Sequence, residues 1–292
     1  MTTKLTFVTY DGLPDLDADD RLVAEELRKR GYTCAVANWR SAEQNWAEAG
    51  VCVVRSTWDY HLYYQEFLSW IEKVSDQTKL LNDAGVIRWN SNKRYLFDLE
   101  RAGIPIVPTV LFEQNAQIDL RAVLTERGWQ RAILKPVIGL STFGVRKIES
   151  TSPDIQAQLD AMLKNSDVLL QPFVETVHKR GERALVFIGD DYSHTIRKSA
   201  FQPLAQAGEA GETLEETDPS ELTLARKVLA EVKTPVAFAR VDLIRDTNGQ
   251  DLLMELELVE PSLYLNMFPA AIPRLADRLC QLATVEQGAR VQ

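Results

Sequence analysis

The chain has 292 residues, 45% apolar and 26% charged, with 33 basic against 42 acidic side chains and a formal charge of −9. That length predicts two or three packed lobes, while the acidic balance excludes the electrostatic footprint of a nucleic-acid or anionic-membrane binder and no apolar run approaches the roughly 18 residues of a membrane span. Cys34, Cys52 and Cys280 are odd in number and lack CxxC spacing, which excludes a disulfide framework and a zinc site.

The N-terminal run through residues 5–10 lacks the long apolar stretch and small-residue cleavage site of a signal peptide, so a cytoplasmic protein is expected. Residues 5–10, 33–38 and 51–56 are short, β-branched-rich apolar runs, and a helical stretch at 19–30, stopped by Gly31, separates the first two. Such alternation implies a parallel sheet. A second amphipathic stretch at 63–74 carries Tyr64, Phe67, Leu68, Ile71 and Val74 on one stripe. Residues 1–88 are therefore expected to form a small α/β lobe, whose exposed apolar residues are a candidate homodimer face. In open parallel sheets ligands sit beyond the carboxyl ends of strands, and the third strand runs into Arg55, Ser56, Thr57, Trp58, Asp59 and Tyr60. That loop is a binding candidate.

A middle lobe is expected over 89–166. Asn90, Ser91 and Asn92 supply capping residues, Lys93 is placed in the first helical turn, and Gly103 with Pro105 ends the helix. The strand 132–137 contains Lys135, and a turn-rich loop at 139–144 carries Gly139, Ser141, Thr142 and Gly144. A lysine inside an apolar strand needs an anionic partner or a route to water, and a glycine-containing loop beside it suits phosphate gripping. Extension from an edge strand into solvent explains Lys135 equally well. Gly139 and Gly144 have P-loop separation, but Val145 and Arg146 stand where Lys and Ser/Thr are required.

A third lobe is expected over 167–292, with strands near 168–174, 184–188, 194–198, 237–244 and 252–259. Between them, 202–219 is acidic and glycine-containing and reads as a mobile loop. No internal repeat is present. Asp246, Thr247, Asn248 and Gly249 mark a turn, so 239–259 reads as a β-hairpin. Alternation puts Glu255 and Glu257 on one face, with Asp242 opposite on the partner strand. Three such carboxylates suit Mg²⁺ or form a solvated acidic face. The apolar strand with Leu170, Gln171, Phe173 and Val174 offers backbone groups and apolar walls to a planar base, or is plain core. His61, His178 and His194 have no serine or cysteine partner spaced as a triad; His194 is placed near the same cleft.

In this order the residues resemble the ATP-grasp superfamily, across essentially the whole chain. Asn90 to Pro105 resembles its first nucleotide lysine and following helix, Ile133 to Gly144 its second lysine and phosphate-covering loop, and Leu170 to Val174 its adenine hinge. Ala239, Arg240, Val241 and Asp242 with Glu255 thirteen residues on are similar to the D-alanine–D-alanine ligase branch, alongside the ribosomal-protein glutamate ligase branch. The family's Glu-x-Asn metal pair is here Glu255-Leu256-Glu257. Together with Glu260-Pro261-Ser262, the Arg55 loop looks most like the subgroup containing the cycloserine-forming ligase.

The resemblance implies an α/β ATP-grasp fold and an ADP-forming carboxylate–amine ligase that activates a small amino-acid-like carboxylate as an acyl phosphate and closes an amide, peptide or cyclised amide. It implies ATP bound by Lys93, Lys135, Gly139, Ser141, Thr142, Gln171, Phe173, Val174 and Glu182, and two Mg²⁺ on Asp242, Glu255 and Glu257. Arg240 and Arg197 are expected to be catalytic, by stabilising an oxyanion and neutralising phosphate, and Arg55, Thr57, Asp59, Tyr60, Glu260 and Ser262 to bind the substrate's amino and carboxyl ends. The contrasting reading is a non-catalytic ATP-binding regulatory module with the same fold.

Overall fold

The computed structural model describes residues 3–140, 142–199 and 211–284. Strands β1 (Lys4–Thr9), β2 (Thr33–Asn38), β3 (Val51–Ser56) and β4 (Lys79–Leu81) form a parallel sheet in the order β2-β1-β3-β4. Helix α1 (Ala18–Lys29) follows β1, and α2 (Tyr64–Gln77) precedes β4. A parallel sheet is stable only with both faces covered, and alternation along its strands supplies two apolar faces. Leu5, Phe7, Val51 and Val53 pack with Val23 and Leu27 of α1, whereas Val8, Cys52 and Val54 pack with Phe67, Ile71 and Val74 of α2.

Helices α3 (Ala84–Asn90) and α4 (Tyr95–Arg101) lead into β5 (Val110–Phe112), α5 (Leu120–Arg127), β6 (Arg131–Pro136), β7 (Arg146–Glu149), α6 (Ile155–Leu163) and β8 (Val168–Pro172). The second sheet is antiparallel, order β5-β8-β6-β7. Its strand β8 differs from expectation, which gave residues 168–174 to the third lobe. Leu134 pairs with Leu170, and the even-numbered side chains of β6 and β8 share one core with α5 and α6. Their odd-numbered neighbours Lys135 and Gln171 consequently face away from that core.

The rest of the chain forms α7 (Val177–Arg180), β9 (Glu182–Ile188), β10 (Asp191–Lys198), β11 (Glu212–Glu215), α8 (Pro219–Ala230), β12 (Phe238–Arg245), β13 (Asp251–Glu257) and α9 (Ala271–Thr284). Its antiparallel sheet runs β11-β10-β9-β12-β13. The segment expected as a loop at 202–219 is thus partly strand: Leu214 pairs with Ile196, and α8 begins at Pro219. Residues 202–210 lie outside the described residues.

One face of this third sheet, with Leu185, Phe187, Ala239, Val241 and Leu243, is covered by α8 and α4. Helix α4 therefore belongs with the third sheet rather than with the middle one. The segment around it satisfies the free edge of β13, as an edge strand requires: Asn90 Nδ2 donates to the Leu256 carbonyl, its Oδ1 accepts from Leu258 N, and Tyr95 Oη accepts from Leu256 N. The opposite face, with Val186, Ile188 and Phe238, packs on the first lobe and α9. Among the described residues no helix is long and apolar enough to cross a membrane.

Candidate active site

The hairpin of β12 and β13 places charge where its flanking core is apolar. Asp242 pairs with Glu255, and Arg240 with Glu257. A bulge lies between Asp242 and Leu243, so Leu253 and Leu256 both stay on the helix-covered side while Glu255 and Glu257 are carried to the other. Expectation and structure agree here.

Lysines meet these carboxylates from three directions. From β6, Lys135 Nζ lies 2.9 Å from Glu255 Oε1. Lys93 Nζ donates to the Gly139 carbonyl at 2.6 Å and stands 4.0 Å from the same Glu255 oxygen. Lys93 lies in the turn before α4 rather than in its first turn, because Asn92 and Lys93 carbonyls close turn bonds to Tyr95 and Leu96. From β10, Lys198 Nζ donates to Asp242 Oδ2 at 2.7 Å and contacts Glu182. Arg240 forks onto Asp242 at 2.9 Å through both Nε and Nη2, contacts Glu257, and donates Nη1 to the Ser262 carbonyl at 3.1 Å.

Electrostatics follow from this pairing. Burial pushes the Glu255 carboxyl up, but Lys135 and Lys93 outweigh it and bring the pKa down to about 2. Asp242 is likewise opposed by burial and held well below the usual carboxylate range by Arg240 and Lys198. Glu257 is raised, since its burial and the nearby Asp242 exceed the pull of Arg240 and Lys198. Burial lifts Glu182 to about 7 despite Lys198, and lifts Glu260 to about 8, with the Glu257 charge adding to it. Lys198 is raised because Asp242 and Glu182 overcome its desolvation.

Asp242 and Glu255 are ionised, oxygen-only donors facing each other across a ladder, and that chemistry fits a hard dication such as Mg²⁺. In the present arrangement they are turned toward lysine and arginine. Among the described residues no three His, Cys, Asp or Glu side chains stand grouped to hold a metal.

A narrow cleft adjoins this cluster, lined among others by Tyr60, Lys93, Gly139, Glu255, Glu257 and Glu260. Of the six expected substrate residues, Tyr60 and Glu260 reach it, and Ser262 touches Arg240 through its carbonyl. Three do not. Arg55 is buried, with Nε 2.8 Å from Asp20 Oδ1 and Nη2 donating to the Pro261 carbonyl, and its guanidinium lies over the Phe238 ring. Thr57 is buried with no hydrogen-bond partner for its hydroxyl, and Asp59 accepts from Trp39 Nε1 at 2.7 Å. At and beyond the end of a doubly covered strand, Arg55 meets Asp20 of α1 and Asp59 meets Trp39 of the cluster under α2 instead of the cleft.

Arg197 is the clearest correction. Its Nε and Nη2 donate to the carbonyls of Arg180 and Lys179, on the sheet face opposite the carboxylates. Lys198, one residue on, occupies the position expected of Arg197, because register pairs Lys198 with Glu182 and Arg197 with Arg183. Nothing in the order of two adjacent cations reveals which one faces inward; only register does.

Gln171 donates to Thr109 Oγ1 at 2.9 Å, and Phe173 packs with Ile244 and Leu252, its own N–H committed to the Arg131 carbonyl. Val174 packs against the same cluster. Thr142 closes the loop turn by accepting from Val145 N, and Ser141 lies outside the described residues. His194 is buried, bonded to the Leu263 carbonyl at 2.9 Å, and pushed down to about 4 by burial, which places it behind the site as a neutral support. Sequence reasoning missed Tyr264, whose backbone stands at φ 53 and whose ring lies 5.8 Å from the Arg240 guanidinium. A left-handed non-glycine residue is visible only in a structure.

Comparison with known proteins adds an independent line. Residues 5–82 match the family model described as D-cycloserine synthetase DcsG, N-terminal domain. The curated cycloserine biosynthesis protein DcsG of Streptomyces lavendulae is 31% identical over 282 residues, covering 91% of this chain and 94% of that one. The crystal structure of D-cycloserine synthetase DcsG superposes with a TM-score of 0.87 at 29% identity, over 96% of this chain and 99% of that one. D-alanyl-alanine synthetase A from Vibrio cholerae shares the fold at TM-score 0.70 and 15% identity, over 97% and 98% of the two chains.

Proposed function

The chain belongs to the DcsG family of ATP-grasp ligases, ATP-dependent enzymes that form C–N bonds, and from that premise we propose that it converts a small amino-acid-like carboxylate to an acyl phosphate. An amine of the same molecule then displaces the phosphate, giving a cyclised amide with ADP and phosphate. The observation that carries this reading is the convergence of Lys93, Lys135, Lys198 and Arg240 on the Asp242, Glu255 and Glu257 face, at the mouth of the cleft.

Phosphoryl transfer depends on alignment and charge neutralisation more than on covalent help. Lys93, Lys135 and Lys198 are flexible point charges able to move from their carboxylate partners to phosphate oxygens. The loop that begins at Gly139, whose carbonyl receives Lys93 Nζ, would cover the phosphates, and Gln171 to Val174, with Glu182, would form the nucleoside end. Asp242, Glu255 and Glu257 would hold Mg²⁺, two ions in this reading, which neutralises the triphosphate when bound. Arg240, preorganised by Asp242, Glu257 and the Ser262 carbonyl, is the donor for the oxyanion of the tetrahedral intermediate. Tyr60 and Glu260 line the substrate end, and a Glu260 carboxyl with a pKa of about 8 can donate a hydrogen bond near neutral pH.

In the same division of labour residues 1–88 contribute Tyr60, 89–166 contribute Lys93, Lys135 and the loop, and 167–292 contribute Lys198, the acidic hairpin and Glu260. The test is phosphate release from Mg-ATP with single amino acids and their O-substituted derivatives, alone and in pairs. Turnover with one substrate supports cyclisation; turnover only with pairs replaces it by intermolecular ligation. Lys135→Ala is expected to abolish product while the protein stays folded.

A further inference from the structure

Two rings outside the charge cluster join the first lobe to the loop after Lys135. His61, in the turn Tyr60–Leu62, lies with its ring centroid 4.5 Å from that of Phe143, at 60° between planes. Phe143 is 52% exposed, so burial alone does not fix a phenyl on this glycine-flanked loop. The imidazole is half-buried, and burial lowers its pKa against the opposing pull of Asp59, which keeps it a neutral aromatic partner at neutral pH.

Beside this ring contact, Ile138 and Leu140 lie against the cluster containing Val8, Tyr60 and Phe67. Phe143 N donates to the Leu140 carbonyl at 2.9 Å, and the Gly139 carbonyl receives Lys93 Nζ. The carbonyl that receives Phe143 N and the one that receives Lys93 Nζ thus belong to adjacent residues. At the other end, His61 follows Tyr60, whose ring lies 6.5 Å away and which lines the cleft opposite Gly139 and Leu140.

We infer that His61 and Phe143 are a positioning pair, through which the cleft wall bearing Tyr60 sets where the phosphate-covering loop and Lys93 stand. This rests on the reading of the cleft as an ATP-dependent ligase site. Neither ring touches the reacting atoms.

The test is a double-mutant cycle on Mg-AMPPNP affinity by calorimetry, with His61→Ala, Phe143→Ala and the double variant. The strength of an aromatic pair sets the expected weakening at about two- to tenfold for each single variant. The double variant is expected within about twofold of the weaker single, since both remove one contact. His61→Phe, which keeps a ring, is expected to restore affinity to within about twofold of the parent, and thermal melting checks that all variants are folded. Losses that multiply, or affinities that do not change in folded variants, overturn the pair. A parent chain that fails to bind Mg-AMPPNP overturns the ligase reading instead, so the two failures are distinguishable.

Discussion

Lys198 and Arg197 are adjacent in sequence and face opposite sides of the sheet, which makes their comparison a sharp test. Lys198→Met removes a cation 2.7 Å from Asp242 and in contact with Glu182. At an effective dielectric of about 20 the attraction to Asp242 alone is roughly 6 kcal/mol, much of it offset by desolvation. Removing one partner of a buried pair is therefore expected to cost about 3–5 kcal/mol of stability. Glu182, already lifted to about 7, takes up a proton and blunts that loss, so Glu182→Gln in the Lys198→Met background is expected to recover stability. On the proposed reading, in which Lys198 faces the phosphates, activity is not recovered and kcat/KM for ATP falls by about 10²–10³. Arg197→Ala leaves two backbone carbonyls short of a donor, costing about 1–3 kcal/mol, with kcat/KM for ATP within about threefold of the parent. Steady-state kinetics with thermal melts on both variants decide the matter. An Arg197→Ala variant that stays folded but loses as much activity as Lys198→Met would falsify the facing assigned to β10.

Three further outcomes follow from the same geometry. Glu255→Gln leaves Lys135 and Lys93 without their anion and is expected to abolish the Mg²⁺ dependence of ATP binding in calorimetry; unchanged dependence would reassign the acidic hairpin. Arg55→Met breaks the buried pair with Asp20 and is expected to lower stability by about 3–5 kcal/mol, whereas an unaltered melting temperature with a raised KM for the amino-acid substrate would return Arg55 to the substrate site. The folded-state pKa values of Glu260, about 8, and Glu182, about 7, exceed the ordinary glutamate value, so their contribution is fully present below about pH 4 and is lost as pH rises to 8. Thermal stability measured from pH 5 to pH 9 is expected to decline less steeply in Glu260→Gln, and a steeper decline would refute the assignment.

What the sequence conveyed well was order and local period. Alternation at 5–10 and 51–56 located both faces of the parallel sheet, and the turn at 246–249 located the hairpin that sets Asp242 against Glu255. Sheet membership was harder to read. The strand at 168–172 follows a helix and precedes the third sheet, and only its ladder with β6 gives it to the middle one. Facing depended on the same long-range information: Arg55 sits in a loop that looks like a ligand site, yet Asp20 and the Pro261 carbonyl, contributed by distant segments, claim its guanidinium.

Glu257, where the ATP-grasp resemblance implies an asparagine, acquires a physical reason from the pairing of strands. Glu257 stands opposite Arg240 and contacts its guanidinium, while Asp242 takes the other edge of the same fork. With Asp242 alone, Arg240 would have one carboxylate to orient it; with both, the guanidinium plane is fixed from two sides, and the Ser262 carbonyl takes a further donor. Preorganisation of this kind matters most for a group that must meet a developing oxyanion without reorganising. The added negative charge is borne because Lys198 and Arg240 lie within its field, although burial still leaves the Glu257 pKa raised. Replacing Glu257 with asparagine should therefore act less on nucleotide affinity, measured by calorimetry, than on the acyl-transfer step proposed above for Arg240, measured as kcat.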